Sequence, residues 1–233
     1  GEGWAQFALF PDELEIREGR LKQQAELLYR KHEKYWQAVD KNDVTLAFGH
    51  AADVVVLAAW RQDAEAFNEE YCRYLQRKHR AGADTPWFAG QIIMIARNDY
   101  TLEVFNGDIG LIMPDAESAN GLAPYFPSAD GFKKIAISRL PQFDSAFAMT
   151  VHKSQGSEYR EVWLLPPSGK IEQGGDDALS GLNNALLYTA ITRARERFVF
   201  WGNEEQWRLA VETRKTRRTA LGDILDAMFV PKA

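Results

Sequence analysis

The chain has 233 residues, with 28 Lys and Arg against 33 Asp and Glu, a net charge of -5 and 45% hydrophobic residues. That suffices for one large or two small folded domains, and 13 Phe, 7 Trp and 8 Tyr argue against disorder, because buried rings offset ordering entropy. The single cysteine, Cys72, excludes a disulfide scaffold and disfavours a structural zinc cluster. No apolar run reaches the roughly 18 to 20 residues that cross a bilayer, and Gly1-Glu2-Gly3-Trp4 lacks the basic-then-apolar order of a signal peptide. A soluble, cytoplasmic protein with no membrane partner is expected, and its acidic balance means that any nucleic-acid contact must be local.

From Pro11 to about Val39, apolar residues at Leu21, Ala25, Leu28, Tyr35, Trp36 and Val39 give a helical spacing. Val54-Val55-Val56-Leu57-Ala58-Ala59 follows, apolar without alternation, as in a strand covered on both faces. Ala64, Phe67, Tyr71, Tyr74 and Leu75 then mark one helix face, so Val54 to Arg80 opens an α/β unit. Between about Ala81 and Ser145 the periodicity gives way to Pro, Gly and short β-type runs at Ile92–Ile95, Asp108–Met113 and Lys134–Ile137, with Asn106-Gly107 as a hairpin turn. This predicts a small β-barrel-like insertion. Strands are predicted again at Phe147–Val151, Glu161–Leu165 and Arg197–Trp201, with helices at Asn183–Arg195, Glu204 to about Thr213 and, at the C-terminus, around Leu221 to Phe229.

No phosphate loop G-x-x-x-x-G-K-[ST] and no G-x-G-x-x-G fingerprint occurs, the four His are too scattered for a metal site, and Ser168-Gly169-Lys170 has the wrong neighbours. Two segments stand out. Thr150-Val151-His152-Lys153-Ser154-Gln155-Gly156-Ser157-Glu158 places hydroxyls, a base, a Gly and a carboxylate at a buried strand's end, where open α/β sheets bind ligands. It reads equally as a polar turn with an N-cap at Ser154, or as hydroxyls and helix-start N–H groups suited to phosphate. Thr192-Arg193-Ala194-Arg195-Glu196-Arg197 sets three Arg at alternate positions. On a helix Arg193 and Arg195 lie about 200° apart, so at most one faces a given site; the plainer reading is Arg neutralising a helix C-terminus.

In this order, Thr150–Glu158 resembles the fifth motif of superfamily 1 DNA helicases and Leu187–Arg195 the sixth, in the forms found in RecD-type helicases, the alpha subunit of exodeoxyribonuclease V. Ile95-Ala96-Arg97-Asn98-Asp99-Tyr100 through Phe105–Gly110 resembles a segment of the same branch, and Val54–Tyr71 the fourth motif. The resemblance implies a RecA-like motor domain, a parallel sheet with flanking helices, interrupted by an SH3-like β-barrel insertion. The expected division is 1–50, a helical segment; 51–85 and 146–233, the two parts of the RecA-like domain; and 86–145, the insertion.

By the same resemblance, Arg61 and Arg193 are the arginines directed at the γ-phosphate of ATP, where a guanidinium stabilises charge developing in phosphoryl transfer. Glu158 holds the ribose, with Gln155 and Gly156 beside it. Thr150, His152, Lys153 and Asn98 contact single-stranded DNA, Asn98 also serving a turn with Asn106 and Asp108. The implied cofactors are ATP and Mg2+, in a site completed by an N-terminal motor domain outside this sequence, so the chain is expected to be a C-terminal helicase fragment without activity alone. Further exonuclease V subunits are implied partners. The alternative is a non-catalytic helicase-like module that binds DNA or a subunit; a metabolic α/β enzyme is disfavoured because no nucleophile or metal set is in view.

Overall fold

The computed structural model of the protein describes residues 10–82, 85–168 and 182–213. In chain order the elements are β1 (Glu13–Ile16), α1 (Leu21–Lys31), α2 (Glu33–Asp40), α3 (Val44–Ala51), β2 (Val54–Ala58) and α4 (Arg61–Arg77). An inserted block follows, β3 (Gln91–Ile95), β4 (Ile109–Pro114), β5 (Leu122–Ser128), β6 (Gly131–Lys134) and β7 (Phe143–Ser145). The chain then continues through β8 (Ala148–Thr150), β9 (Tyr159–Leu165), α5 (Asn184–Ile191), β10 (Ala194–Phe200) and α6 (Glu204–Glu212). The helix expected around Leu221 to Phe229 lies outside the described residues.

The fold is mixed α/β around a parallel sheet of order β1-β10-β9-β2-β8. All five residues of β2 are buried, which explains its unbroken apolar run: alternate side chains enter two different cores. Val54, Val56 and Ala58 face Leu28, Trp36, Phe67 and Tyr71 from α1, α2 and α4. Val55 and Leu57 face Leu186, Leu187 and Ala190 from α5 and Ala210 from α6.

The N-terminal region departs from the expected single helical stretch. Glu13-Leu14-Glu15-Ile16 alternates and pairs in parallel with β10 as an edge strand, and the following helix is broken at His32. His32 is 1% exposed and its Nε2 lies 3.0 Å from the Val54 carbonyl. The Asp53 carbonyl accepts from Glu161 on the β9 side, so that of Val54 points to the other side, where β8 pairs with β2 only from Val56 onward. The imidazole fills the place of an absent strand neighbour. Nearby, the buried Glu161 carboxylate accepts from Lys31 Nζ of α1 at 2.6 Å and from the Trp163 indole at 2.6 Å, fixing α1 to the sheet.

The inserted block is a five-stranded antiparallel sheet of order β6-β5-β4-β3-β7 with its own core of Ile93, Ile95, Val104, Ile112, Phe126 and Ile135. A Cβ on Gly110 would lie 2.6 Å from the Phe126 ring, so this strand position needs a glycine. The strand predicted at Lys134–Ile137 stops at Lys134 and the chain makes a 3-10 turn over Ile137–Arg139, because Ile135 drops into that core. Asn106-Gly107 is a turn just ahead of β4, not the tip of a two-residue hairpin, and Gly107 has φ +99°. β5 was hidden in the sequence by Pro124 and Pro127.

Where the chain re-enters the parallel sheet, Asn68 of α4 takes the part of a sixth strand. Its Nδ2 donates to the Ser145 carbonyl at 2.8 Å and the Ala148 carbonyl at 2.9 Å, while its Oδ1 accepts from the Ala148 N–H at 2.8 Å. Among the described residues no helix is long and apolar enough to cross a membrane.

Two expectations follow from these buried polar groups. Asn68→Ala should lower stability by roughly 2 to 4 kcal/mol, since it strands buried backbone groups at the edge of β8; urea unfolding measures it, and a change under about 1 kcal/mol would show that solvent replaces the amide. Burial holds the His32 pKa down at about 4 against an ordinary 6.5, despite the opposing hydrogen bond to Val54. The unfolded chain therefore binds the proton first, so stability is full above about pH 6.5 and falls as the pH drops from there to about 4, by roughly 3 kcal/mol. The urea midpoint of His32→Phe should fall less over that interval than that of the parent chain.

Candidate functional site

β8 and β9 run parallel on either side of β2, yet only residues 151–158 join them. Thr150 pairs with Ala58 at the carboxyl end of β2, whereas the Arg160 N–H donates to Ala52 beyond its amino end. The connection crosses the sheet through a 3-10 turn, Val151–Ser154. Val151 is sunk into the core beneath α5, and Ser154, fully buried, donates its hydroxyl to the Val151 carbonyl at 2.7 Å. Ser154 therefore closes a turn; no α-helix starts there to offer free N–H groups. Gln155 and Gly156 are exposed, and Gly156 takes φ +85°, a conformation that favours glycine.

The crossing divides the polar residues of this segment between two places. At the carboxyl end stand Thr150, half-buried, and the exposed His152 and Lys153. Lys153 Nζ donates to Asn106 Oδ1 of the inserted block, and the Asn106 N–H donates to Asn98 Oδ1 at 2.7 Å. Asp99 and Asp108 likewise accept from backbone N–H groups of the same loop. Asn98 is thus a turn-builder whose side-chain oxygen is occupied. Arg61 opens α4 here, exposed, its Nε donating to Glu65 at 2.6 Å. A cleft of about 660 Å³ between α4, β8 and the insertion includes Arg61, Asn106, Thr150 and Lys153 in its lining.

At the amino end stand Ser157, Glu158, Tyr159, Arg193 and Arg195. The expected helix to Arg195 ends at Ile191, because Ala194 pairs with Tyr159 and draws the chain into β10. The 200° separation of the two arginines therefore does not arise. Arg195 is exposed and, rather than neutralising a helix C-terminus, donates Nε to Glu158 Oε2 at 2.9 Å. Arg193 donates Nη1 to the Ser157 carbonyl at 3.2 Å, and its own carbonyl accepts from the Tyr159 N–H at 2.8 Å. Its Nε is shut off from solvent without a hydrogen-bond partner. Burial raises the pKa of the Tyr159 phenol against the opposing pull of the Ser157 side chain and the Arg193 charge. Glu158, Ser157 and Tyr159 also border a second cleft of about 560 Å³, which reaches His32 and Asp108.

The structure thus brings Glu158 and Arg193 together and leaves Arg61 at the opposite end of β2, on the order of 15 Å away along the strand. Sequence reasoning missed Arg195, although the alternation Arg193, Arg195, Arg197 is a strand signal; Arg197 indeed pairs with Glu13 and Glu15 of β1. Among the described residues no group of three His, Cys, Asp or Glu could hold a metal ion.

Residues 145–200 match the UvrD-like helicase C-terminal domain. The RecBCD enzyme subunit RecD of Mycobacterium tuberculosis H37Rv is 38% identical over 137 residues, 59% of this chain and 22% of its own length. The ATP-dependent RecD2 DNA helicase of Deinococcus radiodurans is 34% identical over 134 residues, 57% of this chain and 17% of its own length. The chain spans about a fifth of the length of these curated relatives. Among solved structures, the Pif1 helicase from Bacteroides in complex with ADP-AlF3 and single-stranded DNA covers 91% of this chain and 54% of its own, at 15% identity and a TM-score of 0.43.

The Arg195–Glu158 pair has side chains 68% and 54% exposed, so solvent screens it and its worth to folding is at most about 1 kcal/mol. Arg195→Ala should shift Tm by no more than roughly 4 °C in a scanning calorimeter; a larger drop would mean that the arginine carries the fold of this edge.

Proposed function

We propose, from the similarity of this chain to RecD-type helicases, that it forms the second motor domain of an ATP-dependent DNA helicase of the exodeoxyribonuclease V alpha type. In this reading the parallel sheet is a RecA-like domain made of 51–85 and 146–233, the 86–145 block is its SH3-like barrel, and 1–50 is a helical segment packed on it. The observation that carries the reading is the amino-end cluster, in which Arg193 is held by the Ser157 carbonyl next to the Arg195–Glu158 pair. A guanidinium held by a backbone carbonyl, with donors to spare, suits a polyphosphate.

The residues present fit the sugar and phosphate end of ATP and do not fit Mg2+, which has no ligand cluster among the described residues. Arg193 supplies positive charge to the transferring phosphoryl group. Arg195 orients the Glu158 carboxylate through its Nε hydrogen bond, and Glu158 accepts hydrogen bonds from ribose hydroxyls. Gln155 and Gly156 border the same side. The residues at the carboxyl end meet single-stranded DNA: Thr150 and His152 touch the strand, and Lys153 contacts phosphate. Arg61, placed with them, belongs to that face, and the phosphate role rests on Arg193. A phosphate-loop motor domain completes the nucleotide site, and the RecBCD name of the relatives points to further subunits as partners.

The chain alone should hydrolyse no ATP. In an enzyme that carries this segment with a phosphate-loop domain, Arg193→Ala should depress kcat for ATP about 10³-fold at saturating DNA with little change in DNA affinity, the scale of an arginine finger. Steady-state ATPase measurements decide it, and an equal loss in Arg61→Ala with none in Arg193→Ala would reverse the assignment.

A further inference from the structure

The inserted block presents an aromatic pair that the reading above leaves unused. Tyr100 is 77% exposed and Phe105 43%, and their rings meet edge to face with centroids 5.9 Å apart. Neither ring is buried by the fold, yet the hairpin that carries them is firmly fixed. Asp99 and Val104 exchange two backbone hydrogen bonds, of 2.8 and 3.1 Å, at its base. Asp99 Oδ1 accepts from the Thr101 and Leu102 N–H groups, at 2.9 and 3.0 Å, and Lys133 Nζ donates to the carbonyls of Leu102 and Glu103. Val104, fully buried, anchors the hairpin in the core of the insertion. Solvent exposure of two large rings on a pinned hairpin costs hydrophobic burial that a loop of polar residues would not forgo.

The surroundings fit one kind of occupant. Phe105 adjoins Asn106, whose side chain accepts from Lys153 at the carboxyl end of β8, and Arg97, exposed, precedes the hairpin on its other side. Aromatic faces flanked by cations, on a protein whose overall charge is -5, suit a polyanion that also carries flat rings. We infer that Tyr100 and Phe105 are a stacking platform for the bases of single-stranded DNA whose phosphates are met by Lys153. The inference rests on the reading that the carboxyl-end face binds DNA and adds to it the contact that would grip bases without regard to sequence, since every base has a π-face.

Fluorescence anisotropy with a labelled oligo(dT) and the full chain, repeated over a series of salt concentrations, tests it. Tyr100→Ala and Phe105→Ala should each weaken binding roughly tenfold and leave the slope of log K against log salt unchanged, while Tyr100→Trp binds as the parent does. Lys153→Ala should instead flatten that slope by about 0.7. On an abasic strand of the same length the parent chain should bind as weakly as the Tyr100→Ala/Phe105→Ala double variant binds oligo(dT), and Tyr100→Ala should make no further difference there. The inference is overturned if Lys153→Ala weakens binding while both aromatic changes do nothing, or if Tyr100→Ala weakens abasic and normal strands alike. It is overturned too if the aromatic changes alter only the sedimentation of the chain, which would make the pair a protein contact. Absence of any salt-dependent binding by the parent chain would instead remove the DNA-facing reading itself, and the platform with it.

Discussion

Eight residues have to carry the chain from the carboxyl end of β8 to the amino end of β9, and most of the chemistry of this molecule follows from how they do it. A parallel pair ordinarily returns through a helix of a dozen residues or more. Here a single 3-10 turn, with Val151 pressed into the core under α5 and Ser154 sealed beneath it, makes the crossing over the face of β2. The short path pins both of its ends. Thr150, His152 and Lys153 are fixed at one rim of the sheet and Ser157 and Glu158 at the other, so one continuous segment serves two separate places.

The supports of that crossing explain other features of the core. β8 is only three residues long and lies at the edge of the sheet, where its outer backbone groups would stand unpaired. Asn68 satisfies them from α4, and His32 does the same for the part of β2 that β8 is too short to cover. Polar side chains do the work of missing strands on the side where the insertion joins. Burial disfavours charge on such groups, and it holds the His32 pKa far below its ordinary value against the Val54 hydrogen bond.

The two rims differ in chemistry as well as position. The amino rim gathers two arginines and a carboxylate, Arg193 held by the Ser157 carbonyl and Arg195 paired with Glu158. The carboxyl rim is looser: Lys153 and Arg61 are solvent-exposed and lean on neutral or acidic neighbours, and the rigid turns of the insertion border them. The segment between Thr150 and Glu158 ties the two rims by a short path of eight residues.

Much of this was legible in the chain. The unbroken apolar run at Val54–Ala58 reads as a strand covered on both faces, and the glycines and prolines between Ala81 and Ser145 announced a change of architecture. The specialised segments around Lys153 and Arg193 were visible because small hydroxyls, Gly and charge interrupt buried runs. Local pattern failed where a distant partner decides the conformation. Helical propensity carries Asn183 to Arg195 until the edge of β9 captures Ala194, and that capture, not any residue of the segment, turns Arg195 toward Glu158. In the same way Glu13–Ile16 is a strand only because β10 offers an edge. The sequence by itself determined which residues are buried and which carry charge, since hydrophobic period and residue chemistry are local properties. Which charges meet, and that Arg61 and Arg193 stand at opposite rims, was decided by strand order and register, which bring together residues far apart along the chain.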